Sequence, residues 1–450
     1  MRSHVDPCMF VAFIHVPRAH LAPALLAALR RFQPAQGAAP DAVLDLLPER
    51  SFQVRFHETY HVWQGLRLPF LHRYALLSFH KAMQAFGILA RSTPEHRGWD
   101  CLLPEFERLT WDDRIERRAD ALFLAQAGAR SRRKPDDAIA LRPLDLMECA
   151  TSLAEYQVTA AGDKSDPATL DRWAKRNPAT LQPYAFAARF LADRRLALRA
   201  MLPLINAAFH TSEPVRAFAE LLLRLRRDFT SGRADTVQFL AHPEPCQWDA
   251  VFDMYLGEIP FEAPVNADGH LLGSPYHRLT LEAWVGGALH GDGGSIAHPF
   301  LSVPARAWQQ AQQDLPELGL LMGQPAWVRP QTLHRALRRF APMLTVYRFH
   351  VDGVNDRTLL TGPADGSGFA SLAVGGPAHW RAVVADMLTL YGAVRRASGA
   401  HFDSAQRTCH HAACPHHGDN FCNMFPAVPA QYAACTFPAR MRALIDLHRR

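Results

Sequence analysis

The sequence predicts an α+β chain that is predominantly helical. Three observations carry that prediction. Apolar residues recur at three and four across much of the first 230 residues, composition turns rich in Gly and Pro after SGRADT at 231–236, and half of the eight cysteines gather in the last tenth of the chain. Together they divide the 450 residues into a helical part over 1–230, a mixed α/β segment over 231–400 and a Cys/His-rich metal-binding module over 401–450.

In chain order, MFVAFIHV reads as a first strand and residues 19–33 as a helix. SFQVRF, with apolar residues at alternate positions, reads as a short strand that runs directly into HETYHVWQGL. LPFLHRYALLSFHKAMQAFGILA is apolar, but His72, Arg73, His80 and Lys81 interrupt it, which predicts a buried or amphipathic helix rather than a membrane span. Helical spacing returns in PLDLMECATSLAEYQVTAA, LQPYAFAARFLADRRLALRAMLPLINAAF and VRAFAELLLRLRRDF, and the breaks KSDPAT and TSEP carry helix-start residues. MLTVYRFHVDG predicts a strand, and residues 379–397 a helix. The loops GGALHGDGGS and TGPADGSG lack the lysine of a phosphate-binding loop and the strand-to-helix setting of a dinucleotide fingerprint.

A net charge of +6 is mild for this length, and the arginines fall as pairs (Arg30/Arg31, Arg194/Arg195, Arg226/Arg227, Arg338/Arg339) rather than as one patch. No nucleic-acid partner is expected from that distribution. The N-terminal stretch carries only a short apolar run broken by His15 and Pro17, so the expectation is a cytoplasmic protein without a membrane partner. No G-x-S-x-G occurs, which removes the nucleophile-elbow hydrolases. Cys8, Cys101, Cys149 and Cys246 are scattered and read as packed thiols, and Trp63, Trp248, Trp284 and Trp380 as core aromatics.

The segment FHETYHVWQ holds His57, Glu58 and His61. On a helix, residues four apart share a face, so the two imidazoles can meet one ion while Glu58 stands beside it as a general base for a metal-bound water. A catalytic zinc needs a third protein ligand and an open position. The metzincin solution, a His six residues after the second, is excluded by Arg67. A carboxylate from a later helix is the other solution, and Glu148 and Glu155 lie seven apart on nearly one face of it. One of them can bind metal while the other orients a ligand imidazole. Tyr60, Tyr156 and His210 are the candidates for stabilising an oxyanion.

A His-Glu-x-x-His helix with Gln64 three residues after the second His, followed by Leu146-x-Glu148-x-Ala150, resembles the gluzincin type of zinc metallohydrolase. More narrowly it is similar to uncharacterised bacterial proteins with HEYxHxxQ-type motifs. The resemblance covers roughly residues 50–225. It implies a zincin-like helical N-terminal domain, His57, His61 and Glu148 as Zn2+ ligands with Glu155 as the alternative or as a supporting group, Glu58 as base, and a peptide or amide as substrate. The Asn-Glu-x-x-Ala-Glu form of the well-known aminopeptidases is absent.

Two other readings use the same residues. Two His and one carboxylate also suit Fe2+ with positions open for oxygen, as in hydroxylases. A metal-stabilised binding protein without catalysis is the third. A ferritin-like di-iron site needs two Glu-x-x-His units, and here Glu58 to His61 supplies one.

Cys409, Cys414, Cys422 and Cys435 lie among His410, His411, His416 and His417, with intervals of four, seven and twelve residues between the thiols. Four thiolates complete a closed tetrahedral Zn2+ site, with an iron–sulfur cluster as the alternative.

Overall fold

The computed structural model describes residues 4–6, 11–31, 49–72, 122–123, 138–139, 141–160, 166–175, 178–231, 247–259, 318–323, 325, 328–340, 342, 344–349 and 357–361. These are mostly helical, and strands are few. Among the described residues, no helix is long and apolar enough to cross a membrane. The expected helix at 379–397 and all four tail cysteines lie outside the described residues.

A mixed sheet opens the chain. Strand β1 (His4–Asp6) pairs antiparallel with β2 (Val11–Val16), β2 runs parallel to β5 (Leu344–Phe349), and β6 (Arg357–Thr361) closes the order β1-β2-β5-β6. In the β2–β5 register Ile14 faces Tyr347 and Val16 faces Phe349. These four side chains share one face because side chains alternate along a strand. Leu21 and Leu25 cover that face, Leu25 from helix α1 (Pro23–Arg31), and Val54 of helix α2 (Glu49–Arg67) packs against the same cluster. A separate two-stranded ladder joins β3 (Leu122–Phe123) to β4 (Ala138–Ile139).

The rest is helix. After α3 (Pro143–Thr159) come α4 (Pro167–Ala174), α5 (Gln182–Leu191), α6 (Arg194–Ala208), α7 (Pro214–Thr230) and α8 (Gln247–Gly257). Two shorter helices, α9 (Leu318–Gly323) and α10 (Pro330–Arg339), precede β5. Proline stands in the first turn of α3, α4, α5, α7 and α10, where its missing N–H removes no helical hydrogen bond. Asp166 caps α4 by accepting from the Ala168 and Thr169 amides, and Asp193 caps α6 by accepting from Leu196 N at 2.9 Å. The breaks KSDPAT and TSEP thus start helices, as their residues predict.

Helix α6 is the hub. Leu196, Leu198, Met201, Leu202, Leu204 and Ile205 are all buried and point to several sides, because α3, α5, α7, α8 and α9 all pack around it. Helix α2 lies against α3 and α9. Its aromatic ridge Phe56–Tyr60–Trp63 is buried, with Trp63 Nε1 donating to the Phe340 carbonyl at 3.0 Å. The Tyr60 hydroxyl and Asn206 Nδ2 of α6 both donate to the Met322 carbonyl, which ties α2, α6 and α9 at one point.

One expectation is corrected here. SFQVRF is not a strand but part of the first two turns of α2, which is continuous from Glu49 to Arg67. Three alternating apolar residues are too short a signal. Phe56 begins a longer helical series with Tyr60 and Trp63, and that series decides the backbone, leaving Phe52 exposed while Val54 reaches the sheet core.

Candidate metal centre

The site is built where α2 crosses α3. His57 and His61 are one helical turn apart on α2, their ring centroids 4.9 Å from each other. Glu148 comes from α3 and meets both: its carboxylate oxygens lie 3.5 Å from His57 Nε2 and 3.5 Å from His61 Nε2. Those three ligand atoms all fall within 4.8 Å of one another. Donors bound tetrahedrally at zinc's ordinary bond lengths stand about 3.4 Å apart, so the spacing suits a single ion.

Each imidazole is also held from behind. Glu155, two turns along α3 from Glu148, lies with Oε2 2.9 Å from His57 Nδ1. His61 Nδ1 lies 2.9 Å from Gln64 Oε1 and 3.1 Å from Thr151 Oγ1. Both rings therefore use Nδ1 for the protein and turn Nε2 toward Glu148. The residues Glu148, Thr151 and Glu155 are spaced by three and four, which places them on one stripe of α3.

The electrostatics favour a cation. Burial works against charge on the His57 ring, yet the Glu148 and Glu155 carboxylates overcome it and raise its pKa to about 10. Burial also opposes ionisation of Glu148. The two imidazoles that face it nevertheless hold that carboxyl well below the usual range. Glu58 is pushed up to about 7 by burial, against the pull of His57 and His61. Three carboxylates surround two imidazoles, and positive charge in their midst is what the arrangement stabilises.

Two buried atoms of this cluster, His61 Nε2 and Glu58 Oε2, have no hydrogen-bond partner among the described residues. An orphaned buried polar atom is unfavourable by about 1–3 kcal/mol. A cation against Nε2, and a polar reactant beside the carboxylate, would remove that penalty. The donor set, two imidazole nitrogens and one carboxylate, fits a divalent transition ion.

The sequence-predicted residues thus fall into three groups. His57, Glu58, His61, Glu148 and Glu155 are brought together, with Glu148 facing the Nε2 atoms and Glu155 facing Nδ1. Tyr60 commits its hydroxyl to Met322, Tyr156 packs edge-on against Trp173, and His210 sits in the turn after α6. The cysteines Cys409, Cys414, Cys422 and Cys435 lie outside the described residues. Cys149, beside Glu148, is buried and free, and burial pushes its thiol up to about 12. That makes it a packed, unreactive thiol.

Sequence reasoning missed Thr151 and the Met147 carbonyl to which it donates at 3.0 Å. The signal was present in the spacing: Thr151 falls between Glu148 and Glu155 on the same face.

Comparison with protein-family models, with curated proteins and with solved structures finds no match to this chain.

Proposed function

We propose that the chain is a metal-dependent hydrolase of the gluzincin-like type, with zinc held by His57 Nε2, His61 Nε2 and Glu148 and with an amide or peptide bond as its target. The observation that carries this reading is the convergence of three ligand atoms with Glu58 buried beside them, one of its oxygens unpartnered among the described residues. A zinc ion in such a site supplies Lewis acidity and brings the pKa of a water down to about 7.

The chain's own residues have defined parts in that chemistry. Glu155 and Gln64 keep the two imidazoles from rotating, so the ligand set is rigid before an ion arrives. Glu58, buried and with its pKa near neutrality, is suited to accept a proton from the attacking water and pass it to the leaving nitrogen. Glu148 keeps a third of its side chain exposed, so the cluster is reachable from solvent.

Elemental analysis of protein purified without added metal tests the reading, comparing wild type with His57→Ala/His61→Ala and with Glu148→Ala. Loss of one zinc per chain in both variants is the expected result, whatever the tail cysteines retain. Iron lost with the histidines would replace hydrolysis by oxygen chemistry. Unchanged metal content would overturn the site.

A further inference from the structure

The hydrogen bonds around His61 admit one consistent assignment of donors and acceptors. The Met147 carbonyl has Gln64 Nε2 at 3.2 Å and Thr151 Oγ1 at 3.0 Å. A carbonyl only accepts, so the Gln64 amide must turn its NH2 toward Met147 and its oxygen toward His61. The opposite orientation would set two acceptor oxygens against each other, 3.2 Å apart, in a buried site. With the amide fixed, Gln64 Oε1 has His61 Nδ1 at 2.9 Å and Thr151 Oγ1 at 3.1 Å. That oxygen cannot donate either, so the proton between it and the ring belongs to Nδ1. A neutral imidazole has one N–H, and Nε2 is left with its lone pair. Nε2 is the atom that faces Glu148 at 3.5 Å with no hydrogen-bond partner among the described residues.

We infer that Gln64 and Thr151, oriented by the Met147 carbonyl, are positioning residues that lock His61 as its Nδ1–H tautomer and hold Nε2 ready for a divalent cation. The inference rests on the metal-centre reading and deepens it. All four participants are buried, so no water competes for these bonds. One turn of α3, Met147 to Thr151, performs two tasks at once. It delivers the Glu148 carboxylate to the front of the ring and supplies the groups that fix the back. A slip of α3 along α2 would disturb both together.

Nitrogen NMR of the imidazoles in the metal-free full chain, at mildly alkaline pH, reads the tautomer without any metal or turnover. Zinc affinity by chelator competition is the second readout. Wild type should show His61 as the Nδ1–H form. Gln64→Met, which keeps the side-chain length and removes the acceptor, should lose that preference and weaken zinc binding about 10–100-fold. An Nε2–H form in wild type overturns the proposal whether or not the variants fold, as does Gln64→Met with an unchanged spectrum and unchanged zinc affinity. If wild type binds no zinc, the metal-centre reading fails, while the two spectra still decide the tautomer lock.

Discussion

At the scale of single residues, Glu58 and His72 make separate demands. Glu58 touches neither ring through a hydrogen bond that would position it as a ligand, and its burial beside the cluster suits a base. Glu58→Gln keeps the shape and removes the basicity, so metal content should stay at the wild-type level while turnover of amide or peptide substrates falls by about 10²–10⁴-fold. A wild-type rate in that variant would remove Glu58 from the chemistry. His72 belongs to stability. It is wholly buried, its Nδ1 donates to the Gly65 carbonyl at 2.9 Å, and burial lowers its pKa to about 4. The unfolded chain binds a proton there near pH 6.5, whereas the folded chain does not until about 4. Stability from this group is therefore complete above the unfolded value. It is lost as pH falls through the window between the two, by up to about 3 kcal/mol. Urea midpoints of metal-free wild type and His72→Gln should diverge in slope across that window. Parallel pH profiles would exclude the effect.

At the scale of elements, the α5–α6 hairpin is the place to probe. Helix α5 ends at Ala192 in the left-handed region, φ 55°, the position that ordinarily takes glycine. Among the described residues it is the one non-glycine with positive φ. A side chain there is strained against its own backbone, so Ala192→Gly should raise stability by about 0.5–1 kcal/mol, measured as a higher urea midpoint. The next residue does the opposite. Asp193 accepts from Leu196 N, and Asp193→Ala should cost about 1 kcal/mol as the first turn of α6 loses its cap. Because α6 is packed on so many sides, fraying there should lower the global midpoint rather than show as a local transition. Opposite signs from adjacent substitutions would tie both effects to this turn.

Across the whole molecule, an ion at the proposed centre would clamp α2 to α3, since its ligands come from both. Helix α3 also packs on the hub helix α6, and α2 is tied through Met322 to α9 and α6. A ligand that binds only the folded state stabilises it by mass action, about 4 kcal/mol at a thousand times its dissociation constant. Zinc should therefore raise the melting temperature of wild type. The part of that rise owed to this centre should vanish in His57→Ala/His61→Ala, leaving whatever the cysteine tail contributes. An equal zinc response in both proteins would show that the centre does not couple to folding.

What the sequence determined by itself is local. The recurrence of apolar residues at three and four predicts the helices, Asp and Pro mark their starts, and four-residue spacing puts His57 and His61 on one face. Seven-residue spacing likewise put Glu148 and Glu155 on one face of α3. It could not say which would meet the Nε2 atoms, since the two lie about 10 Å apart along the axis. Only the crossing of α2 over α3 assigns Glu148 to the front of the rings and Glu155 to the back of His57. The same crossing sets Thr151 against Gln64, a pairing across 87 residues that no local pattern carries. Tertiary structure alone also decided that β2 pairs in parallel with β5, more than three hundred residues later, and that SFQVRF is helix. Periodicity reports which face of an element is buried. Partner, depth and register are fixed by packing, through contacts between residues that the chain itself keeps far apart.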